Sequence, residues 1–479
     1  MGDGVSGSAR TRAPVAVVGG GITGLAAAWE LQKRGVEFRV LEAGPRWGGV
    51  IVTDAVQGFV LEGGPDSMLA QKPDGVALCR ELGLEDRLVP TNPVLRTVYV
   101  LRRRRLHALP DGMVLAIPTR IAPFVRSRLF PWPAKVRMGL DLLIPARREG
   151  GDESIASFLR RRLGQASVDL LGEPLLAGIH AGDPDRLSML ATFPRFVELE
   201  QRHGSLIRGM WAAPRPASPT GPPPAAFYSL AGGLAEMVET LVSRLPPASL
   251  RLRAPVQAVA RDGQRFVLTV ADGERLEADA VVMSAPAPRT ASLVSTLLPD
   301  VARTLSAIPF ASSATVLLGF RRDDVRHPLD GYGMVIPRTE GLRTSACSFV
   351  STKFPGRAPE GRVLIRGFLG GTRDPRVLDL DDAALVAAVS SEMGPVLGLK
   401  GEPVMSRVYR WPEATPQMEV GHLERIEALE RRVSAVPGLF LTGAGLRVTG
   451  IPDCVAQGTQ NGAEAAAYVG RSLRVTADG

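Results

Sequence analysis

The order of hydrophobic and polar positions is clearest at the start of the chain. A β-branched run at residues 15–18 predicts a buried parallel strand, an Ala-rich apolar stretch at 25–33 predicts a helix, and 38–41 predicts a second strand. Gly35 follows the helical stretch as a C-cap. The pattern therefore predicts a β–α–β unit near the N-terminus.

Hydrophobic periodicity predicts further elements of both kinds downstream. They are helices at 74–89, 381–397 and 453–468, a mostly helical stretch at 111–210, a hairpin at 94–109, a β-rich block at 312–369 and a strand with a tight turn at 438–446. Together with the length of the chain, these elements are compatible with one large α/β assembly with insertions.

Three glycines lie where the first predicted strand meets the helix. Gly19, Gly21 and Gly24 form a GxGxxG motif, in which the first allows a tight turn, the second lets a pyrophosphate approach, and the third lets helix and strand pack closely. Glu42 closes the second strand and can accept both hydroxyls of an adenosine ribose. A carboxylate there repels a 2′-phosphate, so the motif argues against NADP and leaves FAD and NAD open.

Composition narrows the class of protein only slightly. The 479 residues are 45% hydrophobic and 22% charged, which is typical of a globular protein of two or three domains. The net charge of +8 is compatible with nucleic acid, an anionic membrane or an acidic substrate. Three dispersed cysteines and five histidines show no metal-ligand spacing, and no apolar run approaches the ~20 residues of a membrane span.

The residues after Glu42 distinguish the two dinucleotides. Residues 43–49 read AGPRWGG, an extension similar to that of the flavin amine oxidase and phytoene desaturase superfamily. In this reading Arg46 can reach the diphosphate, and Gly48 and Gly49 let the chain pass close to it. The resemblance implies that the dinucleotide is FAD.

A second segment carries a more specific resemblance. Residues 176–189 read LAGIHAGDPDRLSM and resemble a segment of the oxygen-dependent protoporphyrinogen oxidases. The motifs at 228–234, 354–359, 410–417 and 442–454 fit the same family. The match covers nearly the whole chain outside 1–12 and 212–225.

The resemblance implies a Rossmann-type FAD-binding domain, similar to that of p-hydroxybenzoate hydroxylase, built from discontinuous segments. It is joined by a mixed-sheet α+β substrate domain and a helical membrane-association domain. The predicted order is a disordered tail at 1–12, FAD-binding parts at 13–93, 228–289 and 431–479, a substrate-domain hairpin at 94–110, the helical domain at 111–210, a Pro-rich loop at 211–227 and the substrate domain at 290–430.

The same resemblance implies which residues contact a non-covalently bound FAD. They are Gly19, Gly20, Gly21, Ile22, Thr23, Gly24, Glu42, Ala43, Arg46, Gly48, Gly49, Val50, Gly64, Pro65, Asp66, Ser67, Val256, Trp411, Ala444, Thr449, Gly450 and Ile451. Trp411 is expected there as packing rather than as a chemical group.

Three residues match the family's substrate contacts. Arg96 matches an arginine that pairs with a substrate propionate, Gly178 a glycine whose backbone faces a pyrrole, and Phe368 an aromatic that stacks on a ring. Each has a structural alternative, namely a solvated arginine, a helix break and a core aromatic. His180 is read as structural, and Ser345-Ala346 stands where the family has a leucine.

The activity that the resemblance implies is FAD-dependent oxidation of protoporphyrinogen IX to protoporphyrin IX in heme biosynthesis. Six electrons pass to three O2, giving three H2O2, by hydride loss from a meso carbon to flavin N5, so no side chain is assigned as catalytic and no metal is expected. Coproporphyrinogen III is the alternative substrate. A flavin amine oxidase, a carotenoid desaturase and a non-catalytic porphyrin-binding protein are more distant alternatives.

Residues 118–148 interleave basic residues, including Arg126, Arg128 and Lys135, with apolar ones. That composition is typical of an interfacial membrane segment, although ordinary helices with basic outer faces would give the same pattern. We therefore expect a cytoplasmic protein peripherally bound to the inner face of the membrane. A nucleic-acid partner is not expected, and the sequence leaves a homodimer open.

Overall fold

Two seven-stranded sheets organise the computed structural model, which describes residues 10–147, 150–212 and 225–477. The first sheet has the order Leu250–Arg251, Phe38–Leu41, Arg10–Val18, Arg275–Met283, Arg265–Val270 and Val256–Asp262, with Leu439–Leu441 beside Arg275–Met283. The second has the order Met405–Pro416, Phe310–Arg321, Arg362–Gly370, Ala346–Phe349, Gly331–Val335, Thr97–Arg102 and Arg105–Ala108. Both sheets mix parallel and antiparallel pairs, which confirms the predicted α/β fold with mixed sheets.

The strand Arg10–Val18, buried along residues 15–18, lies at the centre of the first sheet and pairs in parallel with Phe38–Leu41 and Arg275–Met283. The second half of Arg275–Met283 also pairs in parallel with Leu439–Leu441, while its first half pairs antiparallel with Arg265–Val270. Leu250–Arg251 pairs in parallel with Phe38–Leu41 as well. The carboxyl ends of five parallel strands therefore meet at one edge, which is where open α/β sheets bind ligands.

Helices cover both faces of the first sheet. One face carries Ile22–Lys33, Ala235–Arg244 and Ile451–Ala477, and the other carries Ala287–Val294, Pro299–Ser306 and His422–Val433. The last three helices show that residues at both ends of the predicted 290–430 substrate segment pack on the first sheet.

Glycines bring the first and last helices into direct contact. A Cβ on Gly458 would lie 2.2 Å from the Thr23 carbonyl oxygen, and one on Gly462 would lie 2.6 Å from that of Ala27. Residue numbers rise together along the two helices, from Gly458 beside Thr23 to Gly462 beside Ala27, so the helices run parallel. Their N-termini therefore lie at the same edge of the sheet.

The second sheet is covered on one face by the helix Asp382–Leu397, which begins where the Asp381 side chain accepts a hydrogen bond from the Ala384 N–H. On its other face, the sheet packs against a layer of helices through the side chains of Val100, Val335, Ala346 and Phe368. That layer contains Ile121–Arg126, Trp132–Gly139, Ile155–Leu163, Gln165–Ser167, the π-turn Val168–Gly172, Glu173–His180, Met189–Thr192, Pro194–His203 and Leu206–Ala212. Inside it, the fully buried Arg162 donates to Asp141 at 2.6 Å.

Short elements connect these layers. They are the strand pairs Thr53–Val56 with Phe59–Glu62 and Met113–Val114 with Ile117–Pro118, the three-stranded sheet of Met68–Leu69, Phe227–Leu230 and Leu88–Pro90, and the helices Asp74–Glu81 and Val350–Lys353. None of the helices in the described ranges has the length and apolar character that crossing a membrane requires.

Several predicted boundaries differ from the observed ones. The helix predicted at 74–89 ends at Glu81, because Gly83 has a φ of +75° and the chain then forms a strand. Residues 10–12 of the predicted tail belong to the first strand, where they pair with 275–277. Residues 1–9, and 213–224 of the predicted Pro-rich loop, lie outside the described residues, while Phe227 begins a strand.

Candidate active site

The glycine motif occupies the carboxyl edge of the first sheet. A Cβ on Gly19, whose φ is +110°, would lie 2.8 Å from Ser284 Oγ, and one on Gly24 would lie 2.1 Å from the Gly19 carbonyl oxygen. At Gly21, by contrast, no atom of the described residues lies within 4 Å of that position. Packing therefore requires glycine at positions 19 and 24. Gly21 instead leaves room for a diphosphate. That space lies at the N-terminus of the helix that begins at Ile22 and Thr23, where free N–H groups favour an anion.

Glu42 lies at the end of the neighbouring strand with its carboxylate held in place. Its Oε2 accepts a hydrogen bond from the Gly20 N–H and its Oε1 accepts one from the Gly44 N–H, both at 2.6 Å. A carboxylate has about four acceptor positions, so both oxygens remain able to accept hydroxyls. The side chain therefore fits the ribose-binding role predicted for it, and Ala43 follows on the surface.

The loop after Glu42 folds over the glycine motif. Gly48 has a φ of +98° and donates its N–H to the Gly20 carbonyl at 2.8 Å, and a Cβ on Gly49 would lie 3.4 Å from the Gly21 Cα. The Arg46 guanidinium donates to the carbonyls of residues 47, 49 and 51. Arg46 thus holds this loop in shape, and its diphosphate contact stays a prediction.

Trp47 was missed by sequence reasoning. A Cβ on Gly20 would lie 2.4 Å from its ring, so the indole covers the glycine loop. Its neighbour Val50 is 45% exposed, although its carbonyl oxygen lies only 1.8 Å from where a Cβ on Gly64 would be. The two predicted cofactor-binding turns are therefore packed against each other.

Three strands of the second sheet converge on the carbonyl of Gly63, which precedes the turn Gly64-Pro65-Asp66-Ser67. That oxygen accepts from Thr315 Oγ1 at 2.8 Å, Trp411 Nε1 at 3.0 Å and Arg366 Nη2 at 3.1 Å. Trp411 therefore anchors the turn by a hydrogen bond, and its place beside the flavin stays a prediction.

Asp66 forms an ion pair with Lys353 at 2.8 Å. Burial alone would raise the pKa of Asp66, but the positive charges of Lys353 and Arg366 hold it well below its usual range. The carboxylate therefore stays ionised and ties the turn to the second sheet. Lys353 gave no signal in the sequence, because it resembles an ordinary surface lysine.

Glu62 lies behind the same turn and is 1% exposed. It accepts from the Leu234 N–H at 2.8 Å and from Thr53 Oγ1 at 2.7 Å, and Arg357 Nη2 lies 3.6 Å away. Burial raises the pKa of Glu62 to about 7, against the lowering effect of these partners. The turn is thus supported by a carboxyl group that titrates near neutral pH.

The structure brings two of the three predicted substrate residues together. Phe368 pairs with Ala346 on the next strand, and a Cβ on Gly178 would lie 3.4 Å from the Ala346 Cβ. On its other side Phe368 pairs with Thr315, which binds the Gly63 carbonyl. Phe368 therefore lies between Gly178 and the Gly63 turn.

Arg96 lies apart from this pair. It is exposed and directly precedes the strand Thr97–Arg102, which is three strands away from that of Phe368. Asn92 Oδ1 accepts from the N–H groups of Val94 and Leu95 and shapes the turn before it. None of the ion pairs formed among the described residues involves Arg96.

The remaining predicted cofactor residues come from three other segments. Ala444 lies in the turn after Leu439–Leu441, and Thr449 and Gly450 directly precede Ile451, where the last helix begins. A second helix N-terminus thus faces the same edge as the first and adds to its positive potential. Val256 is buried in the first sheet's core, so only its backbone is available to a ligand.

His180 and the three cysteines have no apparent chemical role. Burial lowers the pKa of His180 to about 4, and its ring packs edge-on against Phe193. All three cysteines are buried free thiols. Among the described residues, no cluster of three or more His, Cys, Asp or Glu side chains could hold a metal ion.

Comparisons with known proteins agree with this geometry. The family model "Flavin containing amine oxidoreductase" matches residues 22–469. A coproporphyrinogen III oxidase of Bacillus subtilis (strain 168) is 39% identical over 466 residues, covering 95% of this chain and 98% of that protein. The chloroplastic protoporphyrinogen oxidase of Oryza sativa subsp. japonica is 30% identical over 493 residues, covering 96% of this chain and 89% of that protein.

Solved structures give the same picture. A protein from Exiguobacterium sp. 255-15, provisionally named a protoporphyrinogen oxidase, superposes with a TM-score of 0.83 at 33% identity, covering 96% of this chain and 99% of that one. A putrescine oxidase superposes with a TM-score of 0.69 at 17% identity, which shows a shared fold alone.

Proposed function

Because this chain belongs to the family of flavin containing amine oxidoreductases, we propose that it is an FAD-dependent oxidase of porphyrinogens, with coproporphyrinogen III as its substrate. The observation that carries the proposal furthest is its 39% identity, over nearly the full length of both chains, to a coproporphyrinogen III oxidase. Relatives of the same name from Propionibacterium freudenreichii and Staphylococcus aureus are 35% and 33% identical.

The residues at the edge of the first sheet fit FAD. Gly21 leaves space for the diphosphate between two helix N-termini, and Glu42 presents a fixed carboxylate to the ribose. Residues 444–446 read Ala-Gly-Leu and offer no thiol, and Cys454 is buried against Thr23, which supports non-covalent binding. Bound FAD would supply three two-electron oxidations per porphyrinogen, with O2 as the final acceptor and H2O2 as the by-product.

The chain's own residues bind and orient the macrocycle. Phe368 offers a ring face for a pyrrole, and Gly178, without a side chain, lets the tetrapyrrole lie close to its backbone. Arg96 is exposed and free of the described carboxylates, so it can bind a propionate by charge-assisted hydrogen bonds. In this proposal the protein orients the substrate and excludes water, and no side chain acts as acid or base.

Protoporphyrinogen IX is the second candidate substrate. The rice relative and the Exiguobacterium structure carry protoporphyrinogen oxidase names at 30% and 33% identity. Coproporphyrinogen III has four propionates in place of two propionates and two vinyl groups, so it offers more carboxylates to Arg96. Together with the higher identity of its oxidases, this favours coproporphyrinogen III.

The helical layer supports a further part of the proposal, peripheral binding to the inner face of the cytoplasmic membrane. Large apolar side chains are exposed along residues 114–143, in this layer and directly beside it, namely Val114, Ile121, Val125, Trp132, Val136, Leu140 and Leu143. Arg126 and Arg128 are exposed beside them. Lys135, expected on that face from the sequence, is instead buried and donates to the carbonyls of Val125 and Ser127 at 2.7 Å, because its Nζ caps that turn.

The decisive experiment supplies the purified, FAD-loaded protein with each porphyrinogen and air, and follows the fluorescent porphyrin product. We expect a higher kcat/KM for coproporphyrinogen III than for protoporphyrinogen IX, and three H2O2 per porphyrin. The reverse preference would assign the second candidate substrate. An FAD-loaded protein that oxidises neither compound would refute the proposal.

A further inference from the structure

Arg366 lies at the centre of the candidate site, and the proposed function does not yet use it. It belongs to the strand Arg362–Gly370, two residues before Phe368, so both side chains leave the same face of the sheet. That face turns toward the Gly63 turn, and Arg366 is only 4% exposed there.

The guanidinium of Arg366 joins the two parts of the site. Its Nη2 donates to the carbonyl oxygens of Gly64 at 2.6 Å and Gly63 at 3.1 Å. Its central carbon lies 4.7 Å from the centroid of the Phe368 ring, in cation–π geometry. Arg366 therefore touches both the turn predicted to lie along the flavin and the ring predicted to stack on the substrate.

No carboxylate of the described residues forms a salt bridge with Arg366, and Asp66, whose charge acts on it from a longer distance, is shared with Lys353. Asp66 is paired with Lys353, and Glu62 lies 3.6 Å from Arg357. The fully buried Arg162, by contrast, forms a salt bridge with Asp141. The Nε of Arg366 is also buried without a hydrogen-bond partner.

A buried cation without a counter-charge is costly, so the fold must hold it there against its desolvation. Burial lowers the pKa of Arg366, and the more distant Asp66, Glu62 and Tyr409 offset only part of that effect. Arginine keeps its charge under such conditions, because its intrinsic pKa is very high. The site therefore carries a fixed positive charge that would favour any ligand gaining negative charge during the reaction.

We propose that Arg366 is a positioning residue that fixes the Gly63–Gly64 turn against the bound flavin and, through its buried positive charge, raises the reduction potential of that flavin. Reduction adds electrons to the isoalloxazine, and a fixed cation in a low-dielectric site stabilises the more negative state. The inference rests on the proposed function only in requiring bound flavin, and it is independent of which porphyrinogen is oxidised.

The test compares midpoint potentials of the FAD-loaded parent, Arg366→Gln and Arg366→Lys by spectroelectrochemical titration. We expect Arg366→Gln to shift the equilibrium between reduced and oxidised flavin at least tenfold toward the oxidised form. For a two-electron couple, this is a fall in midpoint potential of about 30 mV or more. Arg366→Lys should keep the parent potential, because it keeps the charge. Arg373→Gln is the matched control, since Arg373 is a nearly buried arginine after the same strand whose charge is paired with Glu173 at 2.6 Å.

An FAD-loaded Arg366→Gln protein with the parent potential would overturn the electrostatic role, as would an equal fall in Arg373→Gln. If Arg366→Gln does not fold, Arg366→Lys still tests the positioning role. Lysine is shorter and lacks the planar group that covers Phe368, so we expect FAD to dissociate at least tenfold faster than from the parent. An unchanged dissociation rate would overturn that role. A parent protein that purifies without flavin would refute the proposed function instead.

Discussion

The carboxylate of Glu42 accepts the N–H of Gly20 at 2.6 Å and so ties the end of the second strand to the glycine loop of the first. Glu42→Ala removes this bond, the matching bond from Gly44 and the predicted ribose contact. We expect FAD binding to weaken by about 1.5–3 kcal/mol, the usual cost of losing a charged hydrogen bond. Fluorescence titration of the apoprotein with FAD measures the change. The control is Glu37→Ala, at an exposed position after the helix Ile22–Lys33, which should bind FAD like the parent.

Arg96→Ala should act on substrate binding. A propionate far from the reacting carbon is bound equally in the ground and transition states, so we expect KM to rise with little change in kcat. Loss of a charged hydrogen bond of about 1.5–3 kcal/mol corresponds to roughly ten- to more than hundredfold in kcat/KM. Steady-state kinetics with coproporphyrinogen III provide the measurement.

The control for Arg96 lies in the same hairpin. Arg103 is exposed in the turn between the strands, with a φ of +52° and its N–H bound to Glu340. Arg103→Ala should leave kcat/KM nearly unchanged. If Arg103→Ala is damaging and Arg96→Ala silent, the propionate is held by the turn rather than by the residue before the strand.

Stability should depend on pH through Glu62. Its pKa is raised to about 7 in the folded protein by burial, so the folded state holds this proton more tightly than the unfolded chain does. The resulting stabilisation is complete below a pH of about 4.5 and is lost as the pH rises through about 7, with an amplitude of about 3 kcal/mol. Glu62→Gln cannot titrate and lacks this dependence.

Urea denaturation at pH 5 and pH 8 tests whether the free energy of unfolding falls as the pH rises. Relative to Glu62→Gln, the parent should lose about 3 kcal/mol of unfolding free energy between the two pH values. Glu37→Gln, at an exposed site, provides the reference for all other titrating groups. A constant difference between parent and Glu62→Gln would show that Glu62 is ionised throughout.

The exposed apolar side chains of the helical layer should control membrane binding. Replacing Trp132, Val136 and Leu143 together by Ser should lower partitioning onto anionic vesicles at least tenfold, because these side chains provide the apolar area available to the lipid. Vesicle sedimentation measures the partition coefficient. Val420→Ser removes an exposed apolar side chain elsewhere and should have no effect. Equal partitioning of the triple variant and the parent would show that this face does not bind lipid.

Features that depend on nearby residues could be predicted from the sequence. The β–α–β unit with Gly19 and Glu42, and the helix after Asp381, end at the predicted residues, because local packing and capping specify them. The first strand and the first helix begin about five and three residues earlier than predicted. The 12-residue edge strand Met405–Pro416 escaped prediction, because its partly exposed positions do not alternate.

The cations around the Gly63 turn could not be predicted for a different reason. Arg366 and Lys353 meet their partners across 302 and 287 residues of chain, and in the sequence they resemble ordinary surface charges. They reach the site only because the strand Arg362–Gly370 and the helix Val350–Lys353 pack against the turn that follows Phe59–Glu62. Their role follows from topology, which local periodicity does not encode.

The contact of Gly458 with Thr23 has a consequence for biosynthesis. The helix that completes this edge of the first sheet is synthesised about 435 residues after the glycine loop that it packs against, since Gly458 meets Thr23 (458 − 23 = 435). At the usual rates of translation, the early half waits roughly 20–90 seconds for its partner. If the chain binds FAD as proposed, the complete binding edge therefore exists only after this helix has been made, and until then the apolar face of the first helix stays uncovered.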